Sequence, residues 1–274
     1  MDKTKSPVII EIYYETEAKV RSITEGELMK SVIIIPARYK SSRFPGKPLV
    51  DLLGKPMILW VAELSAQAVD KENVYVATDD ERIFKVVTSA GFNVIMTSDQ
   101  CFTGTDRLAE AANKISADIY INVQGDEPLV NPKDIVNIIK EKEMHYNEII
   151  NGYCSISSDE NPDNINIAKV IFTEDNSLVY ISRQTIPGCK DKSQAPNQYY
   201  KQVCIYAFTK DELKSYADYG RKSTLEASED IEIIRFLEWG QKIRMIETSH
   251  GSLAVDVFED VAKVEQGLRD LHNI

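Results

Sequence analysis

The sequence predicts an α/β protein whose central sheet is mostly parallel and doubly wound. Short apolar segments alternate with segments whose apolar residues have helical spacing, as expected for strands joined by helical crossovers. Gly, Asp or Pro follows several of the apolar segments, which places loops at the carboxyl ends of the strands, where such sheets bind ligands. The chain has 274 residues, 43% of them hydrophobic, so it can bury the core of one large domain or two modest ones.

The first half of the chain carries the alternating pattern. Strands are predicted at residues 32–35, 73–80, 93–97 and 118–124, and the last of them ends at Gly125-Asp126. Helices are predicted at 57–69, 82–91, 107–115 and 132–144. Gly91 is expected to end the second helix, because glycine readily adopts the left-handed conformation found there.

The pattern changes at about residue 151. Four short alternating segments follow, at 152–158, 168–173, 177–183 and 202–208, and they predict an antiparallel β-rich insertion over about 151–210. A helix at 228–240, a strand at 243–249, and a strand ending near Asp256 that leads into a final helix complete one α/β domain over residues 31–274. Residues 1–30 are interpreted as an N-terminal extension of unknown role, either a strand or a short amphipathic helix followed by a polar linker.

Composition excludes several classes of function. A net charge of -11 argues against a nucleic-acid partner, because binding phosphates requires a basic face. No apolar run is long enough to span a membrane, and the N-terminus lacks the pattern of a signal peptide. The four cysteines lack the paired spacing of a zinc site, so we expect reduced thiols. A soluble cytoplasmic protein is predicted.

A cationic loop follows the first predicted strand. Arg38, Arg43 and Lys47 lie within ten residues, beside Gly46, where the backbone can approach a ligand closely. Such a loop at the carboxyl end of a strand can hold a polyphosphate through charge-assisted hydrogen bonds. It is not a Walker A loop, because Pro48 follows Gly46-Lys47. A solvated basic loop is the alternative interpretation of this segment taken alone.

Two aspartates are predicted at the ends of strands on the same edge of the sheet. Asp126 follows Gly125, and Asp256 stands in AVDVFED. Carboxylates placed there can reach Mg²⁺ bound to phosphate oxygens. Individually, Asp126 is also typical of a turn and Asp256 of a helix N-cap. Together with the cationic loop they predict a site for a metal ion and a triphosphate.

A Gly-Thr turn leads into the predicted helix at 107–115. The backbone amides of Gly104 and Thr105, with Arg107, are suited to contact the polar edge of a base, although Thr105 alternatively caps the helix. The three histidines lie outside these loops, so a Ser-His-Asp or Cys-His nucleophile is not expected. Electrostatics and a metal ion are the remaining means of catalysis.

Six motifs occur in a characteristic order between residues 35 and 260: IPARYKSSRFPGKPL, VATDD, TGTDRLAE, NVQGDEP, YISRQTIP and VDVFED. In this combination the chain resembles the CMP-KDO synthetases, which are cytidylyltransferases for 3-deoxy-manno-octulosonate (KDO). The likeness runs from about Val32 to Leu268. It implies a Rossmann-like nucleotidyltransferase fold, a β-rich insertion used for dimerisation, and a homodimer.

The resemblance also implies a reaction and a set of site residues. A hydroxyl of a small anionic sugar acid, KDO above all, attacks the α-phosphorus of CTP and pyrophosphate leaves. The residues that this implies for CTP are Ala37, Arg38, Arg43, Lys47, Gly104, Thr105, Arg107 and Gln124. Arg38, Lys47 and Asp126 are the implied catalytic residues, and Asp126 and Asp256 the implied Mg²⁺ ligands. This chemistry requires positioning and charge neutralisation more than a protein nucleophile.

The acceptor side departs from the family pattern. The implied acceptor residues are Arg183, Gln202, Tyr206 and Glu232. Gln202 stands where the family has histidine, and Ile233 stands where it has glutamine, while Cys101, Phe102 and Thr103 differ near the cytosine loop. A changed acceptor is one interpretation: a modified KDO, another ulosonic acid or a phosphonate. The other interpretation is that these substitutions are neutral drift, with water molecules replacing the lost contacts.

Two other classes of function are alternatives to a cytidylyltransferase. A nucleotide-binding homologue without activity is disfavoured by the presence of Arg38, Lys47, Asp126 and Asp256. An NAD-dependent dehydrogenase is disfavoured because no Gly-x-Gly-x-x-Gly follows the first strand.

Overall fold

The structure is a computed structural model that describes residues 29–40, 44–249 and 253–273. The predicted N-terminal extension therefore lies outside the described residues, apart from Met29 and Lys30. Arg43 of the cationic loop lies outside them as well. Within the described part of the chain, no helix is long and apolar enough to cross a membrane.

The strands of the described structure are, in chain order, β1 (Ser31–Ala37), β2 (Asp51–Leu52), β3 (Lys55–Pro56), β4 (Val74–Thr78), β5 (Asn93–Met96), β6 (Ile119–Val123), β7 (Ile149–Ser155), β8 (Lys169–Phe172), β9 (Leu178–Ser182), β10 (Tyr200–Phe208) and β11 (Ile243–Glu247). The central sheet has the order β11-β7-β10-β6-β1-β4-β5, and β8 and β9 are attached at β10. Only β10 runs antiparallel to its neighbours along this path, pairing with β6 and β7. The predicted α/β class with a mostly parallel sheet is confirmed.

The helices of the described structure are α1 (Met57–Ser65), α2 (Glu81–Ser89), α3 (Gly104–Ala112), α4 (Pro132–Met144), α5 (Lys210–Asp218), α6 (Thr224–Glu229), α7 (Ile234–Glu238) and α8 (Val261–His272). They cover both faces of the sheet. Residues 32–35 of β1 are fully buried and point alternately to the two faces: Val32 and Ile34 pack with α3, α5 and α7, and Ile33 and Ile35 with α1, α2 and α4. The apolar run that predicted β1 is thus explained by a strand that is buried on both faces.

Several helix ends follow from local capping. Gly91 has a φ of 75° and donates its N–H to the carbonyl of Thr88, so the prediction that it ends α2 is confirmed. Helix α3 begins at Gly104, three residues before the predicted start. Thr103 is its N-cap, because the Thr103 hydroxyl accepts the N–H of Asp106 at 3.0 Å. Thr105, the cap considered from the sequence, lies inside the first turn.

The single helix predicted at 228–240 is wrong. The structure has two short helices there, α6 and α7, separated by Asp230 with a φ of 52°. Ile231 and Ile233 are both buried in the core at 5% and 2% exposure. The left-handed conformation of Asp230 interrupts the helix, because an α-helix cannot continue through a residue with positive φ. Helix α5, which the sequence analysis did not predict, begins with a capping box formed by Thr209 and Glu212.

The strand predicted to end near Asp256 is also wrong. Residues 253–257 form no strand, and a 3-10 turn at Phe258–Asp260 leads into α8. The segment is instead tied to the loop after β6, because the N–H of Val255 donates to the carbonyl of Asp126 at 3.0 Å. Asp256 therefore reaches the edge of the sheet from a loop.

The β-rich segment predicted at about 151–210 continues the main sheet. β10 lies between β6 and β7, while β8 and β9 form an antiparallel extension. The pairing of β10 with β7 is irregular between Val203 and Tyr206. The buried side chain of Asn151 donates to the carbonyls of Val203 at 2.9 Å and Ile205 at 3.1 Å, which satisfies the backbone at this irregularity.

A buried ion network joins α3 to α6 and α7. Arg235 is fully buried and donates to both oxygens of Glu226 at 2.7 Å and to Asp106 of α3 at 3.2 Å. Its guanidinium lies over the ring of Tyr216, 3.6 Å from the centroid. The network fixes the first turn of α3 against the helices that follow it in the chain.

We predict that Arg235→Met lowers the free energy of unfolding by about 3–5 kcal/mol, because it leaves Glu226 buried without its cation. Urea denaturation followed by circular dichroism measures the change. Lys214→Met is the matched control: Lys214 pairs with Asp218 on an exposed helix face, and its replacement should leave the midpoint nearly unchanged. Equal stability of the Arg235 variant and the wild type would contradict the prediction.

Candidate active site

The cationic loop closes at the carboxyl end of β1. Gly46 has a φ of 74° and donates its N–H to the carbonyl of Tyr39 at 2.9 Å. A Cβ at Gly46 would lie 3.0 Å from the Tyr39 hydroxyl, so glycine is required both by its backbone conformation and by its neighbour. The guanidinium of Arg82 lies over the Tyr39 ring, 3.3 Å from the centroid. Tyr39 and Arg82 thus hold the base of the loop, and the sequence analysis did not single out either residue.

Three predicted residues meet at this edge of the sheet. The ammonium of Lys47 lies 2.5 Å from Oδ2 of Asp126 and 3.8 Å from Oδ1 of Asp256. The side chain of Lys47 is only 14% exposed, whereas the two carboxylates are 28% and 43% exposed. The N–H groups of Asp256 and Val257 both donate to Asp260, which orients the loop that carries Asp256. Two carboxylates and one ammonium therefore face a common, solvent-accessible space.

The turn after β6 packs tightly against β1. A Cβ at Gly125 would lie 2.7 Å from the carbonyl oxygen of Pro36, closer than two such atoms can approach. Glycine at this position lets the backbone of residues 124–126 lie directly beside β1. This close approach places Asp126 within hydrogen-bonding distance of Lys47.

The first turn of α3 is bonded to a carboxylate from the break between α6 and α7. Glu232 accepts hydrogen bonds from the N–H of Gly104 at 2.9 Å, the N–H of Thr105 at 2.7 Å and the hydroxyl of Thr105 at 2.6 Å. A Cβ at Gly104 would lie 3.4 Å from the side chain of Gln124, so Gln124 adjoins the same turn. The predicted nucleotide residues of α3 and the predicted acceptor residue Glu232 are thus in direct contact.

Arg107 is buried and held by two protein groups. Its guanidinium donates to the hydroxyl of Thr97 at 2.5 Å and to Oδ2 of Asp79 at 3.2 Å. Asp79 belongs to the VATDD motif at the end of β4, so this pair ties α3 to the sheet. The structure places Arg107 beneath the first turn of α3 as a buried tether.

Arg38 and Arg183 are two further arginines predicted to belong to the site. Arg38 is exposed at the start of the loop. Arg183 donates to the carbonyls of Glu229 at 2.6 Å, Ile165 at 3.1 Å and Asp230 at 3.1 Å, so it braces the break after α6. A hydrogen bond from Lys222 lowers the pKa of Asp230, and the charges of Arg183 and Arg38 lower it further.

The predicted acceptor residues of β10 lie on the face toward α3. Gln202 donates its side-chain N–H to Asn151 at 3.0 Å, and Tyr206 is 5% exposed. Burial strongly raises the pKa of Tyr206, and the neighbouring Cys204 and Glu232 raise it further. Burial likewise raises the pKa of the Cys204 thiol, with added contributions from the carboxylates of Glu127, Asp126 and Glu232. Cys204 stands between Gln202 and Tyr206 in β10, and the sequence analysis did not assign it to the site.

A model of the cytidylyltransferase family matches residues 32–243 of this chain, which is most of its length. The chain belongs to the cytidylyltransferase family. The resemblance on which the sequence analysis relied is thereby confirmed at the level of the family and its enzymatic class.

Relatives and solved structures agree with this assignment. The 8-amino-3,8-dideoxy-manno-octulosonate cytidylyltransferases of Shewanella baltica (strain OS185) and Shewanella oneidensis are each 40% identical to this cytidylyltransferase over 248 residues, 88% of this chain and 99% of each relative. A structure of CMP:2-keto-3-deoxy-manno-octonic acid synthetase complexed with CTP is 37% identical with a TM-score of 0.82, covering 88% of this chain and 99% of that one. A cytidylyltransferase structure from Leptospira borgpetersenii, 19% identical with a TM-score of 0.59 over 87% of this chain and 86% of that one, shares the fold.

We predict that Gly125→Ala lowers the turnover of this cytidylyltransferase about a hundredfold, because a shift of about 1 Å at a reacting centre has an effect of this size. The added methyl group must push residues 124–126 away from Pro36 and so separate Asp126 from Lys47. Gly188→Ala is the control, since no heavy atom lies within 4 Å of a Cβ there. Pyrophosphate release measures both variants, and circular dichroism verifies their folding. Wild-type turnover in a folded Gly125 variant would show that the close approach to β1 is not needed.

Proposed function

We propose that this cytidylyltransferase transfers CMP from CTP to a KDO-like sugar acid, and that its acceptor is 8-amino-3,8-dideoxy-manno-octulosonate. The observation that carries the first part is the meeting of Lys47, Asp126 and Asp256 at the carboxyl edge of the sheet. The second part is supported by the names of the relatives at 40% identity and by two changed positions on the acceptor side.

The proposed roles follow from charge and position. CTP carries its negative charge on the triphosphate, so it binds with the phosphates on the loop of Arg38, Arg43 and Lys47. The acceptor hydroxyl then forms a bond to the α-phosphorus, and the bond to the β-phosphate breaks as pyrophosphate leaves. The negative charge that develops between the α- and β-phosphates is stabilised by the ammonium of Lys47.

The donor set at this edge fits Mg²⁺. The carboxylates of Asp126 and Asp256 are hard oxygen ligands, and their closeness to the same ammonium supports a cation site between them. Among the described residues, no group of three or more His, Cys, Asp or Glu could hold a metal ion, so phosphate oxygens and water would complete the coordination. When bound, Mg²⁺ neutralises phosphate charge. Lys47 would then turn from Asp126 toward the triphosphate.

The acceptor side lacks one polar group of the KDO pattern. Ile233 is 2% exposed and packs in the core with α3 and α5, so this position offers no hydrogen bond to a sugar hydroxyl. Gln202 replaces histidine and is bonded to Asn151. Glutamine stays neutral where histidine can be protonated, so this position adds no positive charge against an acceptor with a protonated amino group. KDO itself is the second candidate, supported by the structural likeness to CMP:2-keto-3-deoxy-manno-octonic acid synthetase.

Pyrophosphate release from CTP and Mg²⁺, with each acid supplied separately, tests the choice of acceptor. We predict a kcat/KM at least about tenfold higher for the 8-amino acid than for KDO, since one lost or gained polar contact has at least this effect. Equal or better turnover with KDO would show that Gln202 and Ile233 are tolerated changes. Turnover only with another ulosonic acid or a phosphonate would reject both acceptors, and CTP binding without any turnover would indicate an inactive homologue.

Lys47→Met tests the proposed role of the ammonium. Methionine keeps much of the length of the side chain but removes its charge, so we predict that turnover falls by about 10²–10³. Lys55→Met is the matched control, because Lys55 pairs with Glu63 and does not contribute to the site. A Lys47 variant with turnover close to that of the wild type would place the triphosphate elsewhere.

A further inference from the structure

Glu232 lies between the proposed acceptor site and the proposed nucleotide site. By resemblance it contacts the acceptor, yet its carboxylate is bonded to three donors at the first turn of α3, where the cytidine is proposed to bind. A carboxylate has about four acceptor positions, so three are used by the protein itself. A residue proposed to bind the acceptor is thus bonded directly to the turn proposed to bind cytidine.

The backbone on either side of Glu232 is fixed. Ile231 and Ile233 are both buried, and the hydroxyl of Tyr216 donates to the carbonyl of Glu232 at 3.4 Å. A second connection runs from Arg235 to Asp106 of α3. The carboxylate of Glu232 is therefore presented to α3 by a rigid segment.

The first turn of α3 depends on an external acceptor. The first N–H groups of a helix have no partner inside the helix, and Gly104 has no side chain to satisfy its own. The side chain of Thr103 accepts the N–H of Asp106 and leaves those of Gly104 and Thr105 to other acceptors. Glu232 supplies the remaining bonds for Gly104 and Thr105, and its negative charge is favourable at the positive end of the helix. Burial raises the pKa of Glu232, and the hydrogen bonds from α3 offset part of this rise.

We propose that Glu232 is a positioning residue for the nucleotide, holding Gly104 and Thr105 in the arrangement that binds cytidine and so coupling the nucleotide site to the acceptor site. This inference rests on the proposed function, in which the first turn of α3 contacts CTP. It differs from a role in acceptor binding alone, because it makes CTP affinity depend on Glu232 before any acceptor is present.

Isothermal titration of CTP with Mg²⁺, in the absence of acceptor, tests the inference. Glu232→Gln keeps the shape of the side chain but turns an NH₂ group toward one of the N–H donors. We expect CTP to bind about tenfold more weakly, as for the loss of one hydrogen bond to a charged group. Glu63→Gln is the matched control: it makes the same change of carboxylate to amide at a residue of α1 that pairs with Lys55, so CTP affinity should not change.

Two results would overturn the inference. Unchanged CTP affinity in Glu232→Gln would leave Glu232 as an acceptor residue only, and tighter binding would show that its carboxylate competes with the base for the α3 amides. Absence of CTP binding by the wild type would instead reject the proposed function.

Thr105→Val provides an independent variant in case Glu232→Gln does not fold. It removes one of the three bonds to Glu232, so we expect a smaller loss of CTP affinity. Where both single variants fold, the two losses should be less than additive in the double variant, because both changes remove the same contact. Wild-type affinity in Thr105→Val, or full additivity, would contradict the coupling.

Discussion

The contact between Lys47 and Asp126 is the interaction on which the site depends. It joins the loop after β1 to the turn after β6, two strands that are neighbours in the parallel sheet. The contact is possible because Gly125 lets the turn lie against the carbonyl of Pro36. Asp256 reaches the same ammonium from a loop that is hydrogen-bonded to the backbone of Asp126. A cation held between two carboxylates agrees with the proposal that this site binds a metal ion and a triphosphate.

The helices on one face of the sheet supply the second part of the proposed site, the first turn of α3. Helix α3 is held from below by Arg107 with Asp79, from the side by Arg235 with Asp106, and at its first turn by Glu232. Each of these contacts pairs a charged group with a buried or partly buried partner. Since such groups are costly to leave unpaired, they favour one arrangement of α3 strongly over others. The enzyme therefore presents the first turn of α3 in a defined position.

Much of the sheet could be predicted from the sequence because its signals are local. The apolar run at 32–35 and the glycine at 91 are determined by neighbours a few residues away. The meeting of Lys47 and Asp126 was also predictable, since the carboxyl ends of parallel strands share one edge. The break at Asp230 was not, because the apolar residues at 231, 233 and 234 resemble those of a helix when the core they enter is unknown. The contact of Glu232 with Gly104 spans 128 residues and left no local signal. The metal ion and the homodimer stay predictions from the resemblance.

A crystal structure of the enzyme soaked or co-crystallised with CTP and Mg²⁺ tests the central claim most directly. The account predicts the triphosphate on Lys47, a metal ion bound by Asp126 and Asp256, and the base at the first turn of α3. Another cavity is available for comparison, of about 570 Å³ and lined by residues of α1, α4 and α8, and none of the proposed site residues line it. Nucleotide in that cavity, or a triphosphate that does not touch Lys47, would contradict the account.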